Sequence, residues 1–409
     1  MAEVREGKKV RTRRIRRSGR GGQVGIYLGK QLRFFINEND WKVLIMAAII
    51  AGLVGMVIRK RLFITMEGSL MGGFALTCVA IWNGCFNSIQ CVCRERPIIK
   101  REHRSGLHIS SYVAAHMIYQ LLLCILQTGI TMYVLQILEI QFPAKGFMTP
   151  WMILDVGISM LLISYAADMM SLFISSISHT TTGAMTVMPF VLIFQLVFSG
   201  GVIPLPEWSQ PLSAFTISSY GIQAITAQAG YNELPMVTAW NTLSGMRNRE
   251  VGGTFTVEDV LKFLNSDGVA KYRDREVIPP LETKKTLQDL GVDGLTAEMV
   301  VRGYLGGAEK TPPVSLGELI DAANRSEIVK ENLDHPFTVK ATIGELLELA
   351  GEERVRDEIQ KATAAASFKE DYVRSEENII GNWVMLVLFA LFFALMSVIA
   401  LEMIDKDKR

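Results

Sequence analysis

Cysteine is scarce in this chain, with five in 409 residues, and all five lie between positions 78 and 124. The block 229–376 has none, so disulfides do not hold it together. Cys91-x-Cys93 has no His or Cys companion at zinc spacing, so the pair reads as small apolar residues at a helix end and no metal site is expected. The five histidines are scattered, and no G-x-S-x-G, H-E-x-x-H or paired Cys/His set occurs, so no catalytic residue is expected. A G-x-x-x-x-G-K-[ST] loop for nucleotide phosphates is missing as well. Basic residues are nearly absent from six stretches: Trp41–Ile58, Leu70–Cys91, Ser111–Leu138, Trp151–Ser175, Gly183–Ile203 and Ile379–Glu402.

Those six stretches are the dominant feature. A helix rises about 1.5 Å per residue, so roughly 20 residues cross a hydrocarbon core about 30 Å thick. Each stretch has about that length. With 49% hydrophobic residues and a mean hydropathy of +0.26, the chain reads as an all-α integral membrane protein of six transmembrane helices. No secretory signal is visible, because the first apolar run starts only at Trp41.

The net charge of +1 hides an asymmetry. Residues 1–40 hold eleven Lys/Arg, from Arg5 to Arg33, against Glu3, Glu6, Glu38 and Asp40. Basic residues concentrate on cytoplasmic loops, which places the N-terminus inside. With six spans the second inside loop, Arg94 to Arg104, adds five more, and the tail Asp405–Arg409 also falls inside. Arg59-Lys60-Arg61 falls outside and violates the rule. The run Arg11–Arg17 reads as an anchor to anionic lipid or a linker, with no nucleic-acid role.

These signals divide the chain into five parts. Residues 1–22 form a basic, disordered N-terminus. Residues 23–40 hold an amphipathic connecting helix, because Val24, Tyr27, Leu28, Leu32 and Phe35 recur at helical spacing. Residues 41–228 carry helices one to five and a re-entrant outer segment from Trp208 to Ile225, too polar to cross alone. Residues 229–376 form a mostly helical extracytoplasmic domain. Residues 377–409 hold helix six and a cytoplasmic tail. Within 229–376, Thr256-Val-Glu-Asp, Ser315-Leu-Gly-Glu and Thr342-Ile-Gly-Glu repeat one pattern, a Ser/Thr followed three residues later by an acid. That pattern is a capping box opening an amphipathic helix. Three imperfect copies do not establish a solenoid.

The loop Arg94-Glu-Arg-Pro-Ile-Ile-Lys-Arg-Glu-His-Arg-Ser-Gly-Leu-His-Ile-Ser-Ser-Tyr112 resembles the transmembrane half of ABC exporters of the ABCG and pleiotropic-drug-resistance (type V) kind. There an ERPxxxRExxSGxYxxSxY-like stretch follows span two. The amphipathic helix before span one, the Phe198-Ser-Gly closing span five and the Pro/Trp-rich segment after it resemble the same family. The likeness covers about 23–228 and 378–405 and is most specific in the loop. It implies a permease subunit moving cargo outward. Glu95, Arg96, Arg101, Glu102, Ser105 and Gly106 would couple it to an ATPase, and Ser105-Gly106 would end one helix before the next begins. It also implies a second permease chain, most simply a homodimer, contact with membrane lipid, and a bacterial plasma membrane setting. With no phosphate-binding loop on this chain, ATP and Mg would sit on separate ATPase subunits; no cofactor is expected here.

Polar residues inside a bilayer are expensive and turn toward protein or a cavity. Asn83, Asn87 and Gln90 share one face of span two; Gln120 and Gln127 share a face of span three, with His116 one turn away. Asp155 and Asp168 lie on span four, Gln195 on span five. Interhelical hydrogen bonding, roughly 0.6–2 kcal/mol each, accounts for such residues, and Asp168 would find Ser164, Ser171 or a neighbouring helix, or else bind a cation or proton. The family resemblance assigns spans two and five to a central path. Asn83, Phe86, Asn87, Pro189, Ile193 and Leu196 are its candidate lining, and Phe198, Ser199, Gly200, Gly201 and Val202 its outward constriction. Amphipathic or lipidic cargo fits the phenylalanine-rich span five. The alternative is a non-transporting anchor displaying 229–376 as a binding or sensing module, and it has no need of the loop at 94–108.

Overall fold

The computed structural model describes residues 19–37, 41–201, 205–278 and 313–403. The basic arm before residue 19, the turn at 38–40, Val202, Pro279-Pro280 and the tail after residue 403 lie outside the described residues. The chain divides into two compact units, Met1–Asn241 with Arg356–Arg409, and Thr242–Val355.

The first unit is helical. Its elements are α1 (Arg20–Asn37), α2 (Lys42–Ile58), α3 (Met66–Ser88), α4 (Cys91–Arg104), α5 (Ile109–Ile137), α6 (Met152–Ile177), α7 (Thr181–Val197), α8 (Gln210–Ser213) and α9 (Ile217–Gln228). Among the described residues, four helical stretches are long and apolar enough to cross a membrane: Met66–Arg104, Ile109–Ile137, Met152–Ile177 and the C-terminal Glu376–Glu402. The expected first and fifth spans are α2 and α7, apolar helices of 17 residues each. At that length each spans roughly 26 Å, just short of a typical hydrocarbon core.

Hydroxyl caps start α3, α7 and α9. Thr65 accepts from the Gly68 amide, Thr180 from Gly183 and Thr216 from Ser219, satisfying amides that the first turn leaves free. α6 lies at the centre, packed chiefly against α3 and the C-terminal helix, and also against α5 and α9. Small residues permit the approach. A Cβ on Gly84 of α3 would lie 2.0 Å from the Ser164 carbonyl oxygen of α6, so only glycine lets these backbones meet. α9, the expected re-entrant segment, is buried along nearly its whole length. Gln228 on it donates to Ser159 of α6 at 2.9 Å, and Trp383 of the C-terminal helix donates to the same hydroxyl at 2.8 Å.

Two loop features resolve sequence puzzles. Arg59, from the basic cluster that breaks the charge rule, pairs with Glu139, which offsets its charge. Asp155 is fully buried and accepts three amides, Phe147 at 2.7 Å, Met148 at 2.9 Å and Thr149 at 2.8 Å. It folds the loop before α6 over that helix's start.

α10 (Thr238–Gly245) leads into the second unit. That unit was expected at 229–376 and mostly helical; its contacts confine it to Thr242–Val355, and it contains strands. The flanks fold with the first unit because they are tied there. Glu67 of α3 accepts from the amides of Val237 at 3.0 Å and Thr238 at 2.8 Å, Asn232 donates to the Lys369 carbonyl at 2.9 Å, and Tyr231 meets Tyr372 edge-on at 5.1 Å. The unit's described elements are β1 (Glu250–Thr256), α11 (Val257–Leu264), α12 (Asp267–Ala270), β2 (Glu276–Ile278), β3 (Val314–Ser315), α13 (Leu316–Arg325), α14 (Glu327–Glu331), β4 (Pro336–Thr342) and α15 (Ile343–Ala350). Helix α16 (Glu352–Ala366) leads out of it toward α17 (Glu376–Glu402).

The repeat seen faintly in the sequence is a repeated piece of structure. β1 pairs antiparallel with β4, and β2 with β3. Arg247-Asn-Arg-Glu-Val251 opposes Thr342-Ile-Gly-Glu, and Arg273-Asp-Arg-Glu-Val277 opposes Ser315-Leu-Gly-Glu. In both, the glycine amide donates to the first arginine's carbonyl, Gly344 to Arg247 at 2.9 Å and Gly317 to Arg273 at 2.7 Å. The next contact also repeats, Ile343 to Arg249 at 3.1 Å and Leu316 to Arg275 at 2.8 Å. Each first arginine forms an ion pair, Arg247 with Glu352 and Arg273 with Asp321. Capping boxes at Thr256/Asp259, Ser315/Glu318 and Thr342/Glu345 open α11, α13 and α15. The strands escaped the helical reading because each is short and β1, β3 and β4 run straight into a helix cap.

Candidate functional site

The loop with the specific motif folds as α4, with Pro97 inside it. It ends where expected. Ser105 is the C-cap, Gly106 adopts φ +105°, and the Leu107 amide donates back to Glu102 at 3.0 Å. A left-handed residue after a helix suits glycine, whose missing Cβ removes the penalty. α5 then begins at Ile109, so α4 and the start of α5 form a helical hairpin.

The acids of this hairpin do not pair within the loop. Glu95 is buried; it meets Lys30 of α1 at 3.0 Å and accepts from the Tyr112 hydroxyl at 3.2 Å. Glu102 accepts from the Tyr27 hydroxyl at 2.5 Å. Burial, then the neighbouring Glu102 carboxylate, pushes the Tyr27 hydroxyl above its ordinary value. Gln23 donates to the Gly106 carbonyl at 3.2 Å and accepts from the His108 amide at 2.9 Å. Farther along, Gln31 and His116 lie 3.1 Å apart, and Tyr27 meets Tyr112 edge-on at 5.6 Å. Helix α1 is thus latched to the hairpin along its length. The Arg96 guanidinium donates to the carbonyls of Ser176 at 2.8 Å and Ser178 at 3.2 Å, joining α4 to the end of α6, where a cation also complements the helix dipole. Arg101, Ser105 and Gly106 are exposed at the tip.

Sequence reading placed Glu95, Arg96, Arg101, Glu102, Ser105 and Gly106 in one loop after span two; the structure places them on α4 and the turn that ends it. It missed Gln23, Tyr27, Lys30 and Gln31. The available signal was Lys30 and Gln31 interrupting an otherwise apolar stripe. Along that stripe Val24, Tyr27, Leu28 and Phe35 are half-buried, and Leu32 is exposed.

The candidate path residues lie on two helices. On α3, Phe86 is 51% exposed and Asn83 is buried, while Asn87 is engaged by Gln127 of α5. Asn87 donates to Gln127 at 2.8 Å and accepts from it at 3.0 Å, which occupies both amides. On α7, Pro189 and Ile193 are exposed and Leu196 is half-buried. After α7, Phe198 packs on Phe194 at 5.0 Å, the Ser199 hydroxyl donates to the Leu196 carbonyl at 2.8 Å, and Gly200 adopts φ +70°. Gly201 is buried against Ile222, and Val202 lies outside the described residues.

No group of three or more His, Cys, Asp or Glu able to hold a metal occurs among the described residues. No curated protein matches the chain. Residues 32–228, from the end of α1 to the end of α9, match the family model of the ABC-2 type transporter. That match supports an ABC-2 type transporter membrane domain around the latched hairpin and, with the apolar helices, a multi-pass membrane protein that serves as a permease subunit of an ABC transporter.

Proposed function

We propose that the chain is an exporter permease of the type V kind, with six membrane-crossing helices (α2, α3, α5, α6, α7 and α17) and both termini cytoplasmic in a bacterial plasma membrane. The chain does no chemistry itself. Separate ATPase subunits carry ATP and Mg²⁺ and dock beneath the exposed tip at Arg101, Ser105 and Gly106. One observation carries the reading: both acids of the hairpin are bonded to α1, so a push on the tip moves α1, α4 and the start of α5 together. Because α4 follows α3 after two residues and Arg96 holds the end of α6, that motion reaches the helix core.

The exposed apolar faces of α3 and α7, with Phe86, Phe190 and Ile193, suit a second copy of the chain and a central path for amphipathic or lipidic cargo. The test is substrate-stimulated ATP hydrolysis by the reconstituted complex. Glu95→Lys and Glu102→Lys should each insert normally yet lower stimulation about tenfold, the effect of roughly 1.4 kcal/mol of lost coupling. Wild-type stimulation in both variants would refute the coupling role.

A further inference from the structure

The inward face of α5 carries a row of buried polar side chains, His116, Gln120, Cys124, Gln127 and Thr131, each about one turn beyond the last. At one end His116 meets Gln31 of α1. In the middle, Gln120 donates to the Cys91 thiol at 3.9 Å, and Asn87 reaches Cys124 at the same distance besides pairing with Gln127. Beside this row sits Asp168 of α6, with no exposed surface. The Ser88 hydroxyl donates to one carboxylate oxygen and the Cys124 thiol to the other at 3.6 Å. Neither partner is charged.

Among the described residues, the surroundings supply no countercharge from other directions. From α3, Cys85 directs its thiol to the Ala167 carbonyl at 3.6 Å, and Tyr165 on α6 itself donates to the Met117 carbonyl at 3.4 Å. Helices α7, α9 and α17, which also pack on α6, contain no Lys, Arg or His. The basic helix α4 turns Arg96 to the carbonyls of Ser176 and Ser178, about two turns farther along α6.

A lone carboxylate sealed among neutral groups is expensive, and such a group neutralises by taking a proton. Along the row, the His116 Nδ1, Gln120 Oε1 and Thr131 hydroxyl are buried atoms without a protein partner among the described residues. Unpaired buried polar atoms on one face are the groups that ordered water joins. We propose that Asp168 is a proton-binding site, and that the polar face of α5 is its access route from the α1 end, with water completing the path at His116 and Gln120. The step is a simple transfer: a hydronium ion gives its proton to a carboxylate oxygen of Asp168 and leaves water behind. Helix shifts that withdraw Ser88 or Cys124 change how firmly the proton is held. One proton would then be taken up and released in each transport cycle. That last consequence rests on the permease reading; proton binding does not.

The test is infrared spectroscopy of the purified full-length protein in detergent, which needs neither ATPase nor cargo. At neutral pH the wild type should show the carbonyl stretch of a protonated carboxylic acid that Asp168→Asn lacks. Should Asp168→Asn fail to fold, Ser88→Ala reads the same group, because loss of the donated hydrogen bond shifts the band. Gln120→Leu should keep the band but slow its exchange into deuterated water at least tenfold. A wild-type spectrum without a protonated-carboxyl band sensitive to position 168 or 88 would overturn the proton site. Unchanged exchange in Gln120→Leu would overturn the route.

Discussion

The α3–α6 contact and the Thr242–Val355 unit are held together by opposite means. The contact between α3 and α6 is built of apolar and neutral polar side chains around the Asp168 carboxyl, caps are sparse, and fit is set by Gly84 lying against a carbonyl. In Thr242–Val355 most of the described side chains are exposed, and order comes from capping boxes, short strand ladders and ion pairs such as Arg273–Asp321. One region depends on shape, which a single methyl group can spoil. The other depends on many local bonds, each worth little. Substitutions should therefore hurt in proportion to close packing in the first region and to capping in the second.

The largest effect is expected at Gly84. Gly84→Val forces α3 and α6 apart and should cost about 3 kcal/mol or more, seen as loss of the folded protein in detergent thermal melts. Gly52→Ala on α2, where an added Cβ meets nothing within 4 Å, is the control and should leave the melting temperature unchanged or slightly raised. Equal behaviour of the two would break the comparison.

Next comes Asp155. Asp155→Ala strands three amides that now share one carboxylate, a loss of about 3 kcal/mol given the usual strength of hydrogen bonds to charged acceptors. Asp155→Asn keeps one acceptor oxygen and should recover part of it, again by thermal melting.

Smaller effects belong to the second unit. A polypeptide of residues 242–355 should be soluble and melt cooperatively by circular dichroism. Ser315→Ala and Thr342→Ala should each lower its stability by about 1 kcal/mol, the usual worth of an N-cap. A polypeptide that aggregates or melts without a transition would show that the unit depends on the rest of the chain.

The capping acids make that stability depend on pH. Amide and hydroxyl donors at Thr342 hold Glu345 below its ordinary 4.5, and those at Thr256 hold Asp259 below 3.8. Groups depressed in the folded state contribute fully above their unfolded values and lose that contribution as pH falls through the folded ones. The polypeptide should thus keep its melting temperature down to about pH 4.5 and lose it progressively below. Glu345→Gln should be less stable at neutral pH and flatter in acid. The smallest effect is at Lys262, whose exposed pair with Glu258 predicts no measurable change in Lys262→Ala.

Much of this was legible residue by residue, wherever the cause lies within a few positions. Ser315 and Glu318 announce their box, Ser105-Gly106 announces the end of α4, and a run of apolar residues announces each long helix. The partners of the site residues were not legible. Glu95 finds Lys30, Arg59 finds Glu139, and Asn87 finds Gln127, each far away along the chain. Asp168 illustrates the divide. Ser164, Ser171 or a neighbouring helix was expected to meet it; the Ser171 hydroxyl donates to the backbone carbonyl of Asp168, and the carboxylate is met by Ser88 and Cys124 from two neighbouring helices that the sequence could not specify.

Taken alone, then, the sequence determined that apolar helices of bilayer length alternate with a basic, motif-bearing loop and a polar insert with capped helices. Hydrophobic length and cap chemistry are local, so they can be read one segment at a time. Tertiary structure decided which helix faces meet, which acids α1 captures, and that two Arg-x-Arg-Glu-Val strands pair with two capped helices to make one module twice. These depend on close approach between distant segments, and the Gly84 contact shows how few ångströms decide it.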